Sequence, residues 1–397
     1  MIPSKHIFYI ILLCTGIINL TSCASEPEDN DRPEPTSTID PVIAEDYQEP
    51  PYALGYMNSQ MEIEIPAQFD EARRFHESHA AVNVKGFWGF IDTEGEMVIP
   101  PKYLGAWSFS SGLAKVQSPY TRKIGFINTS GDTLIPLEYD QAQSASFGLA
   151  PVQKGQYWGA LNKENEAVIP FEYYGIKLLS PRYVGLQVTE DWNILDLKNE
   201  TTVAKNLQGV YSQTEGVFRV KTETGQYQFL DTLGRPLFSK TADLAYDPQD
   251  GVFVRCTKES GCYLYDRKGN ILSENYERIR PLEMGRFAFY KEGKWGLMDE
   301  VGAPILSAQL DQVYTFSQAY APYQKDDLWG FINRQGTIAA PHIYGLAWPY
   351  ENGKARVLTR QGMAFLDLDM NLYPISPEIS EVRSFEEGLA AFKRSRD

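Results

Sequence analysis

Histidine, cysteine and acidic side chains are the groups in this sequence that could carry chemistry. His76 and His79 are three residues apart in "HESH", a spacing that places two imidazoles together on a helix and would suit a metal pair. This segment reads as a turn of a β unit without an evident third ligand, so we expect no metal there. We find no G-x-S-x-G, no nucleotide-binding glycine loop and no zincin motif. The sequence therefore predicts no catalytic residues, no cofactor and no enzyme activity.

Two cysteines are spaced for a disulfide. Cys256 and Cys262 flank "TKESG", which reads as a turn between two short strands and would place both sulfurs across a hairpin. In an oxidising compartment we expect a disulfide, the alternative being two small buried apolar residues. No histidine or second cysteine pair lies nearby, so the pair does not fit a zinc site.

The N-terminal segment, residues 1–22, is predicted to be a lipoprotein signal peptide. Lys5 gives a short basic start, and residues 7–20 form an apolar run that is too short for a good transmembrane helix. The run ends in "LTSC", which resembles the lipobox of bacterial lipoproteins and would make Cys23 the lipidated residue. The alternative is an uncleaved hydrophobic anchor. We expect attachment to the bacterial cell envelope through the lipid, at the outer membrane, on its periplasmic or its surface face.

Residues 23–52 are predicted to be an acidic, proline-rich tether. Between Ala24 and Pro50 there are nine Asp or Glu residues, one Arg and five prolines. Such a segment buries too little apolar surface to fold by itself. At about 3.1 Å per residue, it would hold a domain tens of ångströms away from a membrane.

The remaining residues, 53–397, are predicted to form one β array. Hydrophobic residues make up 43% and aromatic residues 13% of the sequence, which is enough for a packed core. Tyr, Phe, Val, Ile and Gly are plentiful, which favours β structure. The net charge of -15 argues against a nucleic-acid partner, because phosphate binding needs a basic surface.

The stretch "WGFIDTEGEMVIP" recurs along this region. Ten copies follow one another at intervals of 32 to 36 residues and start at Leu54, Trp88, Ile124, Trp158, Trp192, Tyr227, Tyr263, Trp295, Trp329 and Met363. Every copy has Asp or Asn at the turn, and the eight inner copies have Gly or Asn three residues later, which predicts a hairpin with a type I turn and a bulge. A later segment with a glycine entry, such as "SSGLAKV", predicts a third strand, so the unit is all-β and must stack on its neighbours.

These residues resemble the bacterial WG-repeat (KWG-repeat) family. The resemblance is carried by Trp88-Gly89-Phe90-Ile91-Asp92, Gly95, Ile99-Pro100, Tyr103 and Gly112-Leu113-Ala114, and it recurs in the copies from Trp158, Trp295 and Trp329. The copies from Trp192, Tyr227, Tyr263 and Met363 lack the glycine. The family implies a tandem array of antiparallel β repeats, often on secreted or lipid-anchored proteins, with no established enzymatic activity. Since ten units exceed the usual propeller range of about 4–8 blades, we favour an open, curved array, with a closed propeller-like ring as the alternative.

One position, five residues before the glycine entry of each unit, holds only Arg, Lys, Gln, Tyr or Trp. We call it the row; its members are Arg73, Trp107, Gln143, Lys177, Tyr211, Tyr246, Arg280, Tyr314, Trp348 and Arg383. Because equivalent positions of stacked repeats align, we expect a stripe of cations and aromatic rings that suits a polysaccharide, a peptidoglycan strand or a protein. The alternative is that these long side chains only cover the rim of the array. The tryptophan of the Trp-Gly pair is expected in the core.

Three functions are compatible with this sequence. The expected one is a cell-envelope lipoprotein whose array is a non-enzymatic scaffold that binds a macromolecule. The alternatives are an envelope hydrolase with carboxylates converging from several repeats, and a spacer without a specific ligand.

Overall fold

A computed structural model describes residues 47–396, and within them every regular element is a β-strand. No helix in this range is long and apolar enough to cross a membrane. The predicted signal peptide, the predicted lipidation site Cys23 and most of the predicted tether lie outside the described residues. The strands form ten small antiparallel sheets, which we call blades 1 to 10 and which follow one another around a ring.

The blades take up the strands in chain order. Blade 1 begins with β1 (Tyr52–Asn58) and β2 (Ile63–Phe69). Blades 2 to 5 contain β3 (Glu71–Ala72), β4 (Ala80–Val84), β5 (Phe87–Ile91) and β6 (Met97–Tyr103); β7 (Gly105–Ala106), β8 (Ala114–Gln117), β9 (Ile124–Ile127) and β10 (Thr133–Tyr139); β11 (Gln141–Ala142), β12 (Ala150–Lys154), β13 (Tyr157–Leu161) and β14 (Ala167–Tyr173); and β15 (Gly175–Leu178), β16 (Tyr183–Gln187), β17 (Trp192–Asp196) and β18 (Thr201–Leu207).

The later blades follow the same plan, with two shorter members. Blades 6 and 7 contain β19 (Gly209–Thr214), β20 (Val217–Lys221) and β21 (Tyr227–Asp231); and β22 (Leu244–Ala245), β23 (Phe253–Thr257) and β24 (Gly261–Tyr265). Blades 8 to 10 contain β25 (Arg278–Pro281), β26 (Phe287–Lys291), β27 (Lys294–Met298) and β28 (Pro304–Leu310); β29 (Gln312–Val313), β30 (Tyr320–Lys325), β31 (Leu328–Asn333) and β32 (Ile338–Tyr344); and β33 (Leu346–Ala347), β34 (Lys354–Thr359), β35 (Gly362–Asp367) and β36 (Leu372–Pro374). The chain ends with β37 (Ile379–Val382) and β38 (Leu389–Ser395), which return to blade 1.

Both ends of the array share blade 1, whose strand order is β2-β1-β38-β37. Strand β1 pairs antiparallel with β38 over seven residue pairs, from Tyr52↔Ser395 to Asn58↔Leu389. The all-β repeat array is confirmed, and its arrangement is the closed propeller-like ring; the favoured open array is wrong. The first copy supplies two strands and the last copy supplies the other two, so pairing them removes two free sheet edges that an open array would expose.

Arg396 fastens this closure from the C-terminal side. Its guanidinium donates to Asp70 Oδ1 at 2.7 Å and to the carbonyl of Tyr52 at 3.0 Å, and it also pairs with Glu49. Asp70 is buried and accepts a further hydrogen bond from the Tyr47 hydroxyl at 2.6 Å. The start and the end of the described chain are therefore tied to one carboxylate.

The glycine of the Trp-Gly pair is required by a close backbone crossing. A Cβ on Gly89 would lie 2.3 Å from the carbonyl oxygen of Ile99 and 2.7 Å from the nitrogen of Pro101. The fourth strand of the blade crosses the third strand there and, after one residue, becomes the first strand of the next blade. The equivalent glycines meet the same carbonyl; they are Gly55, Gly125, Gly159, Gly296 and Gly330.

Two of the copies that lost this glycine also lost the fourth strand. Blades 6 and 7 are three-stranded and carry Gln228 and Tyr263 at the glycine position. The buried Gln228 side chain donates to the carbonyl of Phe238 at 3.0 Å. It occupies the position where, in the four-stranded blades, the backbone of the fourth strand contacts the glycine. The degenerate central units are thus narrower blades.

The predicted Asx turns between the third and fourth strands are confirmed. Asp92 Oδ1 accepts the amide of Glu96 at 2.8 Å, and Gly95 takes a φ of 87°. Blade 5 departs from the pattern because Asp196 is buried and paired with Arg182 at 2.7 Å, and Glu200 rather than Asn199 takes the positive φ. The hydrogen bonds from the Arg182 guanidinium hold the pKa of Asp196 at about 2, well below its ordinary value.

The apolar cores lie between neighbouring blades. One cluster joins Phe90 and Ile99 of blade 2 to Ala106, Phe109 and Val116 of blade 3. The expectation of a core tryptophan holds for two copies, since Trp295 and Trp329 are buried, whereas the other tryptophans of the motif are half-buried. Each apolar cluster within residues 47–396 combines side chains of two successive blades, so stability depends on stacking around the ring.

Candidate functional site

The row lies along the free edge of the first strands of the blades. The amide of Arg73 donates to the carbonyl of Ala81 on the second strand at 2.9 Å, and Trp107 does the same with Lys115 at 3.0 Å. Because a trans peptide points its C=O opposite to its N–H, the carbonyl just before each row residue points away from the sheet. Each blade therefore presents one backbone acceptor that its own strands leave unpaired.

At seven of the ten junctions, a side chain of the preceding blade donates to this acceptor. The donor is itself a row residue at four junctions, namely Arg383 to Ala72, Gln143 to Ile176, Lys177 to Val210 and Arg280 to Val313. At three junctions the donor lies on the second strand instead, namely Lys115 to Ala142, Arg219 to Ala245 and Arg356 to Val382. These contacts satisfy edge carbonyls and tie neighbouring blades together.

The two donor positions are eight residues apart and alternate in a regular way. Where the row residue is Trp107, Tyr211 or Trp348, the position eight residues later is the cation Lys115, Arg219 or Arg356. Where the row residue is Arg, Lys or Gln, the later position is small or proline: Ala81, Pro151, Gly185, Ala288 and Ala391. Sequence reasoning missed this pairing, although the fixed spacing of eight residues was a readable signal.

The donors lie against aromatic rings. Lys115 Nζ is 4.2 Å from the ring centre of Trp107, Arg280 is 4.5 Å from that of Trp295, and Arg356 is 5.0 Å from that of Trp348. Burial lowers the pKa of all three side chains from its ordinary value. Cation–π contacts and carbonyl hydrogen bonds hold these charges in place of carboxylates.

Two cations of the row region do have carboxylate neighbours. Arg219 pairs with Asp247 at 2.7 Å, and Arg383 lies 3.6 Å from Glu381. Within the described residues, the buried Nε atoms of Arg73, Arg280 and Arg356 have no hydrogen-bond partner. Arg73 instead lies over two rings, at 4.9 Å from Trp88 and 5.7 Å from Trp107.

The junctions that follow Tyr246 and Tyr314 break the pattern, and an open cleft lies at the second of them, between blades 9 and 10. The row residue of blade 9 is Tyr314, and the position eight residues later is Pro322, which supplies no cation. The cleft has a volume of about 360 Å³ and is lined by Tyr314, Thr315, Trp329, Leu346, Ala347, Trp348 and Pro349. The rings of Tyr314 and Trp329 are stacked, with centres 5.1 Å apart and planes 4° apart, and Tyr314 is 44% exposed.

A second cleft, of about 450 Å³, lies between blades 5 and 6. It is lined by Gln143, Ile176, Lys177, Trp192, Gln208, Gly209, Val210 and Tyr211. Here Lys177 already donates to the carbonyl of Val210 and lies 5.8 Å from the ring centre of Tyr211. The row residues thus occupy equivalent positions at the edges of their blades, and Tyr314 and Trp348 border a cleft whose lining contains no cation.

The other predicted sites lie elsewhere in the ring. Cys256 and Cys262 face each other on β23 and β24 and form a disulfide with an S–S distance of 2.05 Å. His76 and His79 lie in the loop between β3 and β4, where His79 Nδ1 is 2.7 Å from the carbonyl of Glu77. No group of three or more His, Cys, Asp or Glu residues in 47–396 is placed to hold a metal ion.

A further recurrent contact was also missed from the sequence. An acidic residue directly before the first strand of a blade accepts the amide of the tight turn fifteen residues later, as Asp70 does from Lys85 at 2.7 Å. Asp140, Asp243, Glu277 and Asp311 make the same contact. These carboxylates are explained by the fold and offer no site.

Comparison with protein families matches one description, "WG containing repeat", at six segments of the chain. The matched residues are 55–86, 88–118, 124–158, 264–295, 295–329 and 329–360. The unmatched middle, 159–263, contains the degenerate copies from Trp192 and Tyr227. No curated protein matches the sequence.

Many solved structures are similar in shape and distant in sequence. A eukaryotic initiation factor is 12% identical with a TM-score of 0.48, over 82% of this chain and 98% of that one. BamB from Moraxella catarrhalis is 12% identical with a TM-score of 0.35, over 86% and 99% of the two chains. The WD40 β-propeller domain of Doa1 is 9% identical with a TM-score of 0.26, over 57% and 93%. Similarity at this level says nothing about function.

Proposed function

Because the chain belongs to the family of WG-containing repeat proteins, we propose that it is a non-enzymatic scaffold that binds another macromolecule at the bacterial cell envelope. Lipidated Cys23 would anchor it to the membrane, and the ring would present the row to a protein, a polysaccharide or a peptidoglycan strand. The observation that carries this proposal is the aromatic cleft between blades 9 and 10, where the row is left open to solvent.

The anchor rests on the N-terminal sequence. The apolar run of residues 7–20 ends in "LTSC", and an acidic, proline-rich segment separates Cys23 from Tyr47, the first described residue. Since proline-rich segments favour extended conformations of about 3.1 Å per residue, such a tether would let the ring reach partners tens of ångströms from the membrane.

The clefts of the row support binding over catalysis. Neither of the two clefts is lined by an Asp or a Glu residue, whereas a glycan or peptide hydrolase needs carboxylates or another acid–base pair at the reacting bond. An aromatic lining with few polar groups is typical of surfaces that recognise side chains or sugar rings. No observation favours the hydrolase.

The proposal is tested by crosslinking and mass spectrometry on intact cells that carry the wild type or variants. We expect wild type to recover a specific macromolecule from the membrane fraction. Cys23→Ala should release the protein from membranes, and the double variant Trp107→Ala/Trp348→Ala should recover at least about tenfold less partner, the loss expected when an interface loses its aromatic anchors. Tyr120→Ala is the matched control, since Tyr120 is 71% exposed and lies away from the row.

Circular dichroism would first establish that each variant is folded. Unchanged recovery with a folded double variant would contradict the binding role of the row. Membrane attachment of Cys23→Ala would contradict the lipid anchor.

A further inference from the structure

The repeats of this chain show what the cleft between blades 9 and 10 is built to hold. In blades 3, 6 and 10 an aromatic row residue is accompanied by a cation from the second strand. Lys115, Arg219 and Arg356 each lie 4.2 to 5.1 Å from the ring centre of the row residue in their own blade. Each also donates to the edge carbonyl of the next blade. These three junctions are internal examples of one occupied site.

Blade 9 has the same site without the occupant. Tyr314 is its aromatic row residue, and Pro322 stands where the other three blades carry Lys or Arg. The acceptor that a cation would reach is the carbonyl of Ala347, which belongs to the lining of the cleft and receives no side-chain donor from residues 47–396. The stacked rings of Tyr314 and Trp329 and the ring of Trp348, over which Arg356 lies at 5.0 Å, border the open space. We call this aromatic lining the cage.

We propose that this cage binds a basic side chain, arginine or lysine, of a partner protein. The incoming cation would lie against the exposed ring of Tyr314, beside Trp348, and donate to the carbonyl of Ala347, as Lys115 lies against Trp107 and donates to Ala142. An apolar or acidic side chain would leave that carbonyl unpaired. This inference deepens the proposed function by naming the chemistry of the partner.

The charge of the protein favours such a partner. The net charge is -15, so a basic protein is attracted at long range, and neither cations nor carboxylates line the cleft itself. Selection for a cation would then come from ring quadrupoles and one carbonyl, the same groups that hold Lys115.

One other aromatic row residue lacks a second-strand cation, and its junction does not form a cage. Tyr246 of blade 7 is followed eight residues later by Val254, but the next row residue is Arg280 rather than an aromatic residue. Arg280 lies 4.5 Å from the ring centre of Trp295 and donates to the carbonyl of Val313. The open aromatic arrangement is therefore specific to the junction between blades 9 and 10 among the junctions described.

The test is a titration of the full chain, labelled with 5-fluorotryptophan, followed by fluorine NMR. The probe is the peptide acetyl-Gly-Arg-Gly-amide, and its uncharged counterpart carries citrulline in place of arginine. The resonance of Trp348 is assigned with Trp348→Phe. We expect this resonance to shift with a dissociation constant of about 1 mM for the arginine peptide, as befits a single cation site, and at least about tenfold weaker binding of the citrulline peptide.

Pro322→Arg supplies the missing cation from within and should abolish the response, whereas the matched control Pro322→Ala should retain it. An equal response to both peptides, or a full response in Pro322→Arg, would overturn the proposal. The dispersion of the other tryptophan resonances shows whether each variant is folded, and Trp348→Leu gives a second route to loss of binding.

The cell experiment separates this proposal from the proposed function. If the row variants lose the crosslinked partner while Pro322→Arg keeps it, the scaffold stands and the cage is wrong. Recovery of a glycan rather than a protein would likewise support the scaffold and contradict the binding of a basic side chain in the cage.

Discussion

Replacing Gly89 by alanine is expected to lower the free energy of unfolding by about 3 kcal/mol or more. The new Cβ would lie 2.3 Å from the carbonyl oxygen of Ile99 and 2.7 Å from the nitrogen of Pro101, and backbone atoms cannot move aside as a flexible side chain can. Relief requires the backbone of the fourth strand of blade 2 to move away from the third strand at this crossing. Clashes that displace backbone belong to the most destabilising single substitutions.

Urea unfolding measures this effect, and Gly185→Ala is the matched control. Gly185 also lies in the middle of a strand, but a Cβ there would make contacts of 3.5 Å or more with side chains. We expect a change of less than about 0.5 kcal/mol for the control, as for ordinary substitutions without a clash. Similar losses in both variants would show that the glycine of the motif serves something other than the crossing.

Replacing Arg396 by alanine is expected to cost about 2 kcal/mol and to loosen the closure of the ring. The substitution removes the hydrogen bonds to Asp70 and to the carbonyl of Tyr52. The buried Asp70 keeps the Tyr47 hydroxyl and the amide of Lys85 as partners, so the loss should fall short of the full cost of an unpaired buried charge.

Arg394→Ala is the control, because Arg394 lies two residues earlier, within β38, and contacts Glu378 only at 3.9 Å, with 37% of its side chain exposed. Its loss should be within about 0.5 kcal/mol. Hydrogen exchange should show faster exchange in β1 and β38 of Arg396→Ala and little change elsewhere. Equal exchange rates in β1 and β38 of the wild type and of Arg396→Ala would contradict the role given to Arg396.

The repeating unit could be predicted from the sequence because its signals are local. Asp92 and Gly95 are three residues apart, and one turn involves nothing beyond them. The degenerate copies can also be recognised locally. Gln228 replaces the glycine in one of them, and the blade that contains it has three strands instead of four. The crossing itself was not visible, since it joins Gly89 to Ile99 only after the chain has turned back.

Closure of the ring could not be predicted in this way. It depends on pairing between Tyr52 and Ser395, which are at opposite ends of the array, and on the small rotation between successive blades. Counting blades against the usual range argued for an open array, but the half-units at the two ends complement each other. The sequence did contain this information, because the first copy begins without the first two strands of a blade and the last copy ends with those two strands.

The row was located by its spacing, while its contacts were not foreseen. Arg280 contacts the neighbouring blade because the carbonyl of Val313 points towards it and accepts its hydrogen bond. The direction in which a backbone carbonyl points cannot be read from residue types. The cation that accompanies Trp107 is eight residues away, at Lys115, so reading the row alone concealed the pair. The missing cation at Tyr314 can be recognised only by comparison with blades 3, 6 and 10, where a second-strand cation lies over the aromatic row residue.

Site-specific photocrosslinking in intact cells tests the central claim most directly, namely that side chains of the row region link neighbouring blades and leave a site for a partner between blades 9 and 10. A benzophenone amino acid would replace Tyr314 in one strain and Tyr211 in another, two residues of the same row of which only Tyr211 has a cation of its own blade, Arg219, over its ring. We expect a protein adduct from position 314 and none from position 211. Equal adducts at both positions, or none at position 314, would contradict the account.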